Sequence, residues 1–422
     1  MTSWYYAESL TFYFLSMKPS ICIVGAGPAG AMAALFLAKA NVPCILIDKA
    51  VFPRDKVCGD ALGGFVPSVL KQYSEDLLLK FRQQSTKIDC FGVKFVSPNL
   101  KEIQIPFALP DGQSEGFVSP RMDFDHFLIE EVKSQSLITF LEGWEISSYS
   151  KIENGWELEN KEGEKLTSAL VVWANGAHSQ FSKKEANIQV EAEHYAAGLR
   201  MYYENVVGFE EGNMIELHFL KDILPGYLWV FPLPNNKANI GLGLRSDWVN
   251  KRGINIKKVL DEYLKTAPHL KDRFKDAKAL EKVKGYGLPL ASKKRKISGE
   301  RFMLCGDAAC LIDPFTGEGI GHAMYSGKFA ADQILKCIEQ NNFSAEFIAQ
   351  YDKAVYQKLG KTFKLSTMMQ KLAQHAWLLN FIFNRANQSK SIQNTIMSML
   401  GNVDIRKNFK NPMFYLKLLF GK

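Results

Sequence analysis

The sequence predicts an α/β fold. A parallel sheet wound with helices is interrupted by an inserted antiparallel sheet and followed by a helical C-terminal region. Three observations predict it. A short apolar run, Ile21 to Val24, passes through a glycine turn into an alanine-rich helical stretch. Two later apolar runs, Ala169 to Trp173 and Arg301 to Cys305, also end in glycine turns. Between those two, from Tyr195 to Arg245, the residues follow a β pattern, with Leu199, Met201 and Tyr203 alternating and then Ile215, Leu217 and Phe219.

The first stretch carries the most chemistry. Gly25 permits a tight turn, Gly27 lets a pyrophosphate approach the backbone, and Gly30 lets the following helix lie close on the strand. Pro28 sits where the first helical turn needs no N–H donor. The helix N-terminus then offers free N–H groups and a positive dipole end to an anion. A second strand, Cys44 to Asp48, ends on an acid about 20 residues past the glycines, where a ribose-binding carboxylate belongs. Strand, turn, helix and acid together make a Rossmann-like dinucleotide site, against the plainer alternative of a glycine-rich βα turn.

The 422 residues suffice for two domains or one large domain with insertions, and 47% apolar content supports a substantial core. Seven cysteines are scattered without zinc-like spacing, and the odd count fits a reducing compartment. No metal site and no nucleic-acid partner are expected. The net charge of +8 is unevenly placed. From Ala354 to Lys422 eleven Lys/Arg face one acid, Asp404, so the remainder is near neutral.

Residues 1–16 are aromatic, lack a basic n-region and a cleavage signal, and are too short to span a bilayer. Met17 is the expected native start, a hypothesis that N-terminal sequencing tests. No run of 18 or more apolar residues occurs, so no transmembrane helix is expected. The segment Phe52 to Gly64 is a loop dense in charge, glycine and one thiol, Cys58. If Arg54 and Lys56 point at that thiol, its pKa falls; the alternative is an ordinary loop cysteine held for packing. Residues 65–84 are expected to be helical, 86–107 stranded, and 137–159 short strands. A helix with a cap-like Ser119-Pro120 start follows Arg121. Helical spacing runs from Ile256 to Leu280 and again from Ala323 to the end. Tyr227, Trp229 and Phe231 share one strand face, either as a sheet packed on a helix or as an aromatic wall of an apolar cavity. His178, His218 and His322 have no evident partners and are read as structural.

These motifs resemble the flavoprotein superfamily of aromatic hydroxylases, and within it the geranylgeranyl reductases, over roughly residues 18–340. Gly25-x-Gly27-Pro-Ala-Gly30 with Asp48 resembles the family's site for the ADP half of FAD. Lys56-Val-Cys58-Gly59-Asp60 matches the reductases' cysteine–glycine loop. Tyr227-Leu-Trp229-Val-Phe231-Pro232 matches their strand over the substrate cavity. Gly306-Asp307-Ala-Ala with Pro314-Phe-Thr-Gly317-Glu-Gly319-Ile320 matches the segment in which Asp307 would bond the ribityl chain and the backbone would face the flavin ring. Arg121 resembles a family residue near the flavin phosphates. Two departures stand out. Asn175-Gly176 replaces an aspartate–glycine pair, which puts a direct NADPH site in doubt, and Cys310 replaces the histidine of typical hydroxylases.

The resemblance implies a discontinuous FAD-binding domain over 17–70, 116–190 and 285–340, a substrate domain over 71–115 and 191–284, and a C-terminal helical region over 341–422. The implied cofactor contacts are Gly25, Gly27, Ala29, Gly30, Asp48, Lys49, Lys56, Gly59, Arg121, Gly306, Asp307, Gly317, Gly319 and Ile320. The implied substrate contacts are Tyr227, Trp229 and Phe231, with Cys58 as the catalytic candidate. A helix starting near Thr316 would aim its positive end at the negative charge of reduced flavin. Glu318 is read as a local cap or salt-bridge partner rather than an acid catalyst.

The implied activity is an FAD-dependent reductase saturating isolated C=C bonds of a long isoprenoid, with NAD(P)H or a ferredoxin-like protein as electron donor. A flavin monooxygenase or halogenase is the main rival, and an isoprenoid carrier with a structural FAD is a third. The expected location is cytoplasmic. The basic C-terminal helices suggest either peripheral contact with an anionic inner membrane face or a helical cap over the substrate domain with a solvated charged side.

Overall fold

In a computed structural model of the chain, residues 20–106, 116–390 and 392–393 are described. The expected start at Met17 and the apolar–basic run Phe414 to Phe420 lie outside them.

The central sheet has six strands in the order Ser298–Gly299, Phe302–Leu304, Leu170–Trp173, Ile21–Val24, Cys44–Asp48 and Ile138–Glu142. All neighbours run parallel except the short edge pair at Ser298–Gly299. The residues of Ile21–Val24 are buried on both faces, the sheet being covered by helices on one side and by the three-stranded sheet Ile146–Ile152, Gly155–Asn160 and Lys165–Ser168 on the other. Val24 pairs with Trp173, and Trp173 with Leu304. The carboxyl ends of three strands that are far apart in sequence therefore lie side by side. The three glycine turns that leave them open on the same edge of the sheet, the edge where open α/β sheets bind ligands.

Two helices seal one face. Pro28–Lys39 has Pro28 in its first turn, where no N–H donor is needed, and Lys39 in its last, where a cation suits the helix dipole. It lies against Ile320–Glu339 at a distance only small residues allow. A Cβ on Gly327 would sit 2.1 Å from the carbonyl oxygen of Ala29.

The second sheet runs Lys278–Ala279, Tyr195–Glu204, Lys237–Arg245, Tyr227–Leu233, Ile215–His218, Gly92–Val96 and Glu102–Pro106. It is antiparallel apart from the parallel pair Ile215–His218 and Gly92–Val96. The strand Lys284–Pro289 pairs with Tyr195–Arg200, on the same edge of Tyr195–Glu204 as Lys278–Ala279. The helix Ala376–Ala386 covers part of this sheet through Leu379 and Phe383, the latter 5.7 Å from both Phe95 and Phe219 between ring centroids.

Three expectations shift. The helix expected over 256–280 is Ile256–Thr266 only. Pro268 drives Ala267 out of the helical region, and turns follow before the short strand Lys278–Ala279. The helix expected to begin near Thr316 begins at Ile320. Asp313 accepts the N–H groups of Phe315 and Thr316, each at 2.9 Å, and holds Pro314–Gly319 as a loop instead. The helix Arg121–Lys133 takes its cap position at Pro120, without a side-chain cap from Ser119.

Candidate functional site

The three glycine turns meet around one cavity of about 1100 Å³ that reaches the second sheet. That exceeds the roughly 300–1,000 Å³ of a single small-molecule pocket and leaves room for a cofactor and a second ligand. Gly25 holds φ at +101°, and a Cβ there would lie 2.5 Å from the carbonyl oxygen of Ala174. A Cβ on Gly30 would lie 1.8 Å from the carbonyl oxygen of Gly25. Gly27 differs, because its nearest neighbour would be an Arg54 nitrogen at 3.7 Å. The turn is thus packed behind and open in front, as a backbone meant to meet a phosphate must be. Asp48 braces it, accepting from the N–H of Ala26 at 2.7 Å and of Ala50 at 2.9 Å. A dinucleotide fits the open turn, the helix N-terminus, and the adjoining Arg54 and Lys49.

Every implied cofactor residue lines this cavity except Gly30, which is packed behind the turn. Lys56 reaches Asp307 at 3.4 Å and lies 4.4 Å over the ring of Tyr286. Arg121 is buried and grips Asp125 with two bonds of 2.6 Å, and Arg54 joins the same carboxylate at 2.7 Å. Both cations expected beside Cys58 pair with carboxylates, Lys56 with Asp307 and Arg54 with Asp125. Cys58 itself is half-buried and lines the cavity.

The cysteine loop is fastened to the aromatic strand. A Cβ on Gly59 would lie 3.1 Å from the ring of Phe231 and 3.5 Å from the indole nitrogen of Trp229. Asn239 donates to the carbonyl of Cys58 at 2.8 Å and to Asp60 at 2.7 Å, and accepts from the Trp229 indole at 2.9 Å. Tyr202 donates to the same Asp60 oxygen at 2.5 Å. Burial pushes the Asp60 carboxyl up to about 7. Sequence reasoning missed Asp60, Tyr202 and Asn239 as a unit. The signal was a lone amide in the apolar run of Lys237–Arg245, since a buried polar group in a strand needs partners.

Tyr227, Trp229 and Phe231 line the cavity and also form part of the buried core, so both readings of that strand hold. Tyr227 donates to the carbonyl of Thr316, which ties the strand to the Pro314–Gly319 loop. Among the described residues, the Glu318 side chain in that loop has no salt-bridge partner and caps no helix. Its Oε1 is buried without a hydrogen-bond partner, and burial raises its pKa to about 8. His322 is buried between Phe65 and Phe363 and bonds the Glu318 carbonyl at 3.0 Å, a packing role as expected. His178 packs on Tyr286 at the cavity edge, and buried His218 bonds Glu216 and stacks on His269.

Residues 195–286 match the family model of the geranylgeranyl reductase catalytic domain. A digeranylgeranylglycerophospholipid reductase of Methanococcus vannielii is 29% identical over 397 residues, covering 92% of this chain and 93% of that protein. The structure of a geranylgeranyl bacteriochlorophyll reductase-like protein from Thermoplasma acidophilum superposes with a TM-score of 0.76 at 21% identity, over 93% of this chain and 98% of that one. A halogenase, PltM, in complex with phloroglucinol and FAD superposes with a TM-score of 0.70 at 17% identity, over 92% of this chain and 85% of that one. The two structural likenesses concern the fold. The resemblance drawn from the sequence motifs is borne out by the family model and the reductase relative.

Replacing Asn239 with Leu leaves the Asp60 carboxyl, the Cys58 carbonyl and the Trp229 indole short of a partner. The expected loss is about 1–3 kcal/mol of stability, read as a lower urea midpoint at unchanged slope. An unchanged midpoint would show that Asn239 does not fasten the loop.

Proposed function

We propose that this chain is an FAD-dependent reductase that saturates isolated C=C bonds of a long isoprenoid. The observation that carries the reading is one continuous cavity whose walls are a dinucleotide cradle and an apolar aromatic strand. When bound and reduced, FAD supplies hydride, a chemistry no side chain offers. The residues of the chain provide the rest. The turn at Gly25 to Gly30, with Arg54 and Lys49, would hold the ADP half. Asp307, with Lys56 and the backbone at Gly317 to Ile320, would hold the ribityl chain and ring.

Tyr227, Trp229, Phe231 and the Cys58–Gly59 loop would enclose the prenyl chain. Recognition of such a chain is mostly apolar area removed from water, worth roughly 25 cal/mol per Å². An isolated alkene has no carbonyl to polarise, so positioning, exclusion of water and proton supply must carry the rate. Division of labour between a discontinuous cofactor unit and an inserted substrate unit belongs to the same reading. So does an electron donor of NAD(P)H or ferredoxin-like type.

The test is anaerobic. The purified protein is expected to be yellow, to bleach on reduction, and to re-oxidise when mixed with a polyprenyl lipid or quinone, giving the saturated chain. Re-oxidation by oxygen alone, with a long-lived oxygen adduct and no alkene reduction, would favour a monooxygenase or halogenase. A flavin that resists dithionite would favour a carrier.

Peripheral contact with an anionic inner membrane face is the second part of the proposal. No helix among the described residues is long and apolar enough to cross a membrane. The stretch from Ala354 to Lys390 contains six Lys/Arg and no acid. Within it Met368 and Leu372 are exposed, and Trp377 is 70% exposed. Aromatic and aliphatic side chains among lysines suit an anionic bilayer surface. The protein is expected to sediment with anionic but not neutral vesicles, and Trp377→Glu to release it. Equal sedimentation of the variant would count against contact through this helix.

A further inference from the structure

Saturating a C=C bond takes a proton as well as a hydride, and the cavity lining includes an acid, Glu318, with a buried carboxyl oxygen that has no partner among the described residues. Other cavity carboxylates have partners among the described residues. Asp48 and Asp313 accept backbone N–H groups. Asp55 pairs with Arg200 and Lys284. Asp60 accepts from Tyr202 and Asn239, and Asp307 faces Lys56. Glu318 lines the same cavity, yet its Oε1 is buried and unpartnered.

The packing around it explains why. Gly63 and Gly321 close over the carboxyl, and a Cβ on either would lie 3.1 or 2.8 Å from Oε1. Gly63 belongs to the loop that carries Cys58. Thr316, two residues before Glu318, is bonded by Tyr227 of the aromatic strand. The carboxyl thus stands where the cysteine loop, the aromatic strand and the cradle loop join. Around it are Asp313 from its own loop, Phe65, and buried His322 from the following helix, which bonds the backbone carbonyl of Glu318. Lys358, on the long helix Ala345–Leu372, lies over the rings of Phe65 and Tyr325, and among the described residues Glu318 has no ion-pair partner. Asp313 adds negative charge nearby, which opposes ionisation further. The start of the helix at Ile320 favours the carboxylate, but by about 0.3–1 kcal/mol at typical sites, less than burial costs.

We propose that Glu318 is held as a neutral carboxylic acid and delivers the proton that completes alkene saturation, a role that rests on the reductase reading above. Hydride supplied by a bound, reduced flavin would form a C–H bond at one alkene carbon. The electron pair of the π bond takes the proton at the other carbon as the O–H bond of Glu318 breaks. The two electrons the alkene gains would come from the bound, reduced flavin, and water re-protonates the carboxylate.

Two readouts test this, with Glu318→Gln as the near-isosteric variant and Glu318→Asp as the variant that keeps an acid. The first does not depend on turnover. An acid whose folded pKa is raised from 4.5 to about 8 contributes stability that is complete below the lower value and lost as pH rises through the upper. The melting temperature of Glu318→Gln should therefore gain on wild type from pH 5 to pH 9, and the wild-type-minus-variant infrared difference spectrum, in which the shared Asp60 carboxyl cancels, should show a protonated carboxyl band at pH 6.5. The second readout is anaerobic re-oxidation by a polyprenyl substrate. Glu318→Gln should slow it about 10²-fold with dithionite reduction unchanged and the alkaline fall of the wild-type pH profile gone, and Glu318→Asp should recover part of the rate.

Wild-type re-oxidation in Glu318→Gln, or a carboxyl already ionised at pH 6.5, would overturn the donor role and leave the reductase reading standing. Failure of the wild type itself to reduce any polyprenyl alkene would overturn the reductase reading, and the donor role with it.

Discussion

The structure depends on a close approach of backbones along one edge of the parallel sheet. Val24, Trp173 and Leu304 end side by side, and the turns that leave them come within the space a single methyl group would fill. Gly25 against Ala174, Gly30 against Gly25, and Gly327 against Ala29 are contacts at which a Cβ would overlap a carbonyl oxygen. Interiors packed at this density do not absorb an added carbon without displacement. The glycines therefore do two jobs. At most positions they let the elements close up, and at Gly27 the same turn presents bare backbone to a cavity. A binding edge results because the sheet is parallel and its connections place every carboxyl end on one side.

The second sheet is joined to that edge by buried polar contacts rather than by apolar packing alone. Asp60, Tyr202 and Asn239 fasten the cysteine loop to the aromatic strand, and Tyr227 fastens the strand to the Pro314–Gly319 loop. Such networks add little net stability when complete but are costly to leave half-made. They fix geometry, so the aromatic rings stand at a set distance from the cradle. Arg121, Asp125 and Arg54 do the same beneath the cavity floor, where one carboxylate holds two guanidinium groups. A buried charge cluster of this kind is weak evidence for stability and better evidence for a required arrangement.

Much of this was legible in the residues. The first strand, glycine turn, helix and Asp48 follow from local pattern, because each depends on neighbours within about 20 residues. The meeting of the turns at Gly25, Gly176 and Gly306 was foreseeable only because each follows an apolar strand. The helix at Ile320 was misplaced by four residues because Asp313 captures N–H groups that would otherwise enter the helix. Glu318 was visible as an acid among glycines, but its isolation is set by Gly63, some 250 positions away in the chain. Asp60 and Asn239 were hidden for the same reason. Their partners are distant in sequence, and no spacing announces a hydrogen bond between a loop and a strand of another sheet.

The central claim is that the open face of the turn at Gly27 receives FAD. Its most direct measurement is titration of the apoprotein with FAD, followed by quenching of flavin fluorescence, for the wild type and for Gly27→Val. The substituted position faces the cavity rather than the packed interior, so the variant is expected to keep its urea midpoint within about 1 kcal/mol of stability. The account predicts saturable uptake of one FAD per chain by the wild type and none by the folded variant. Equal uptake by both, or no uptake by the wild type, would contradict it.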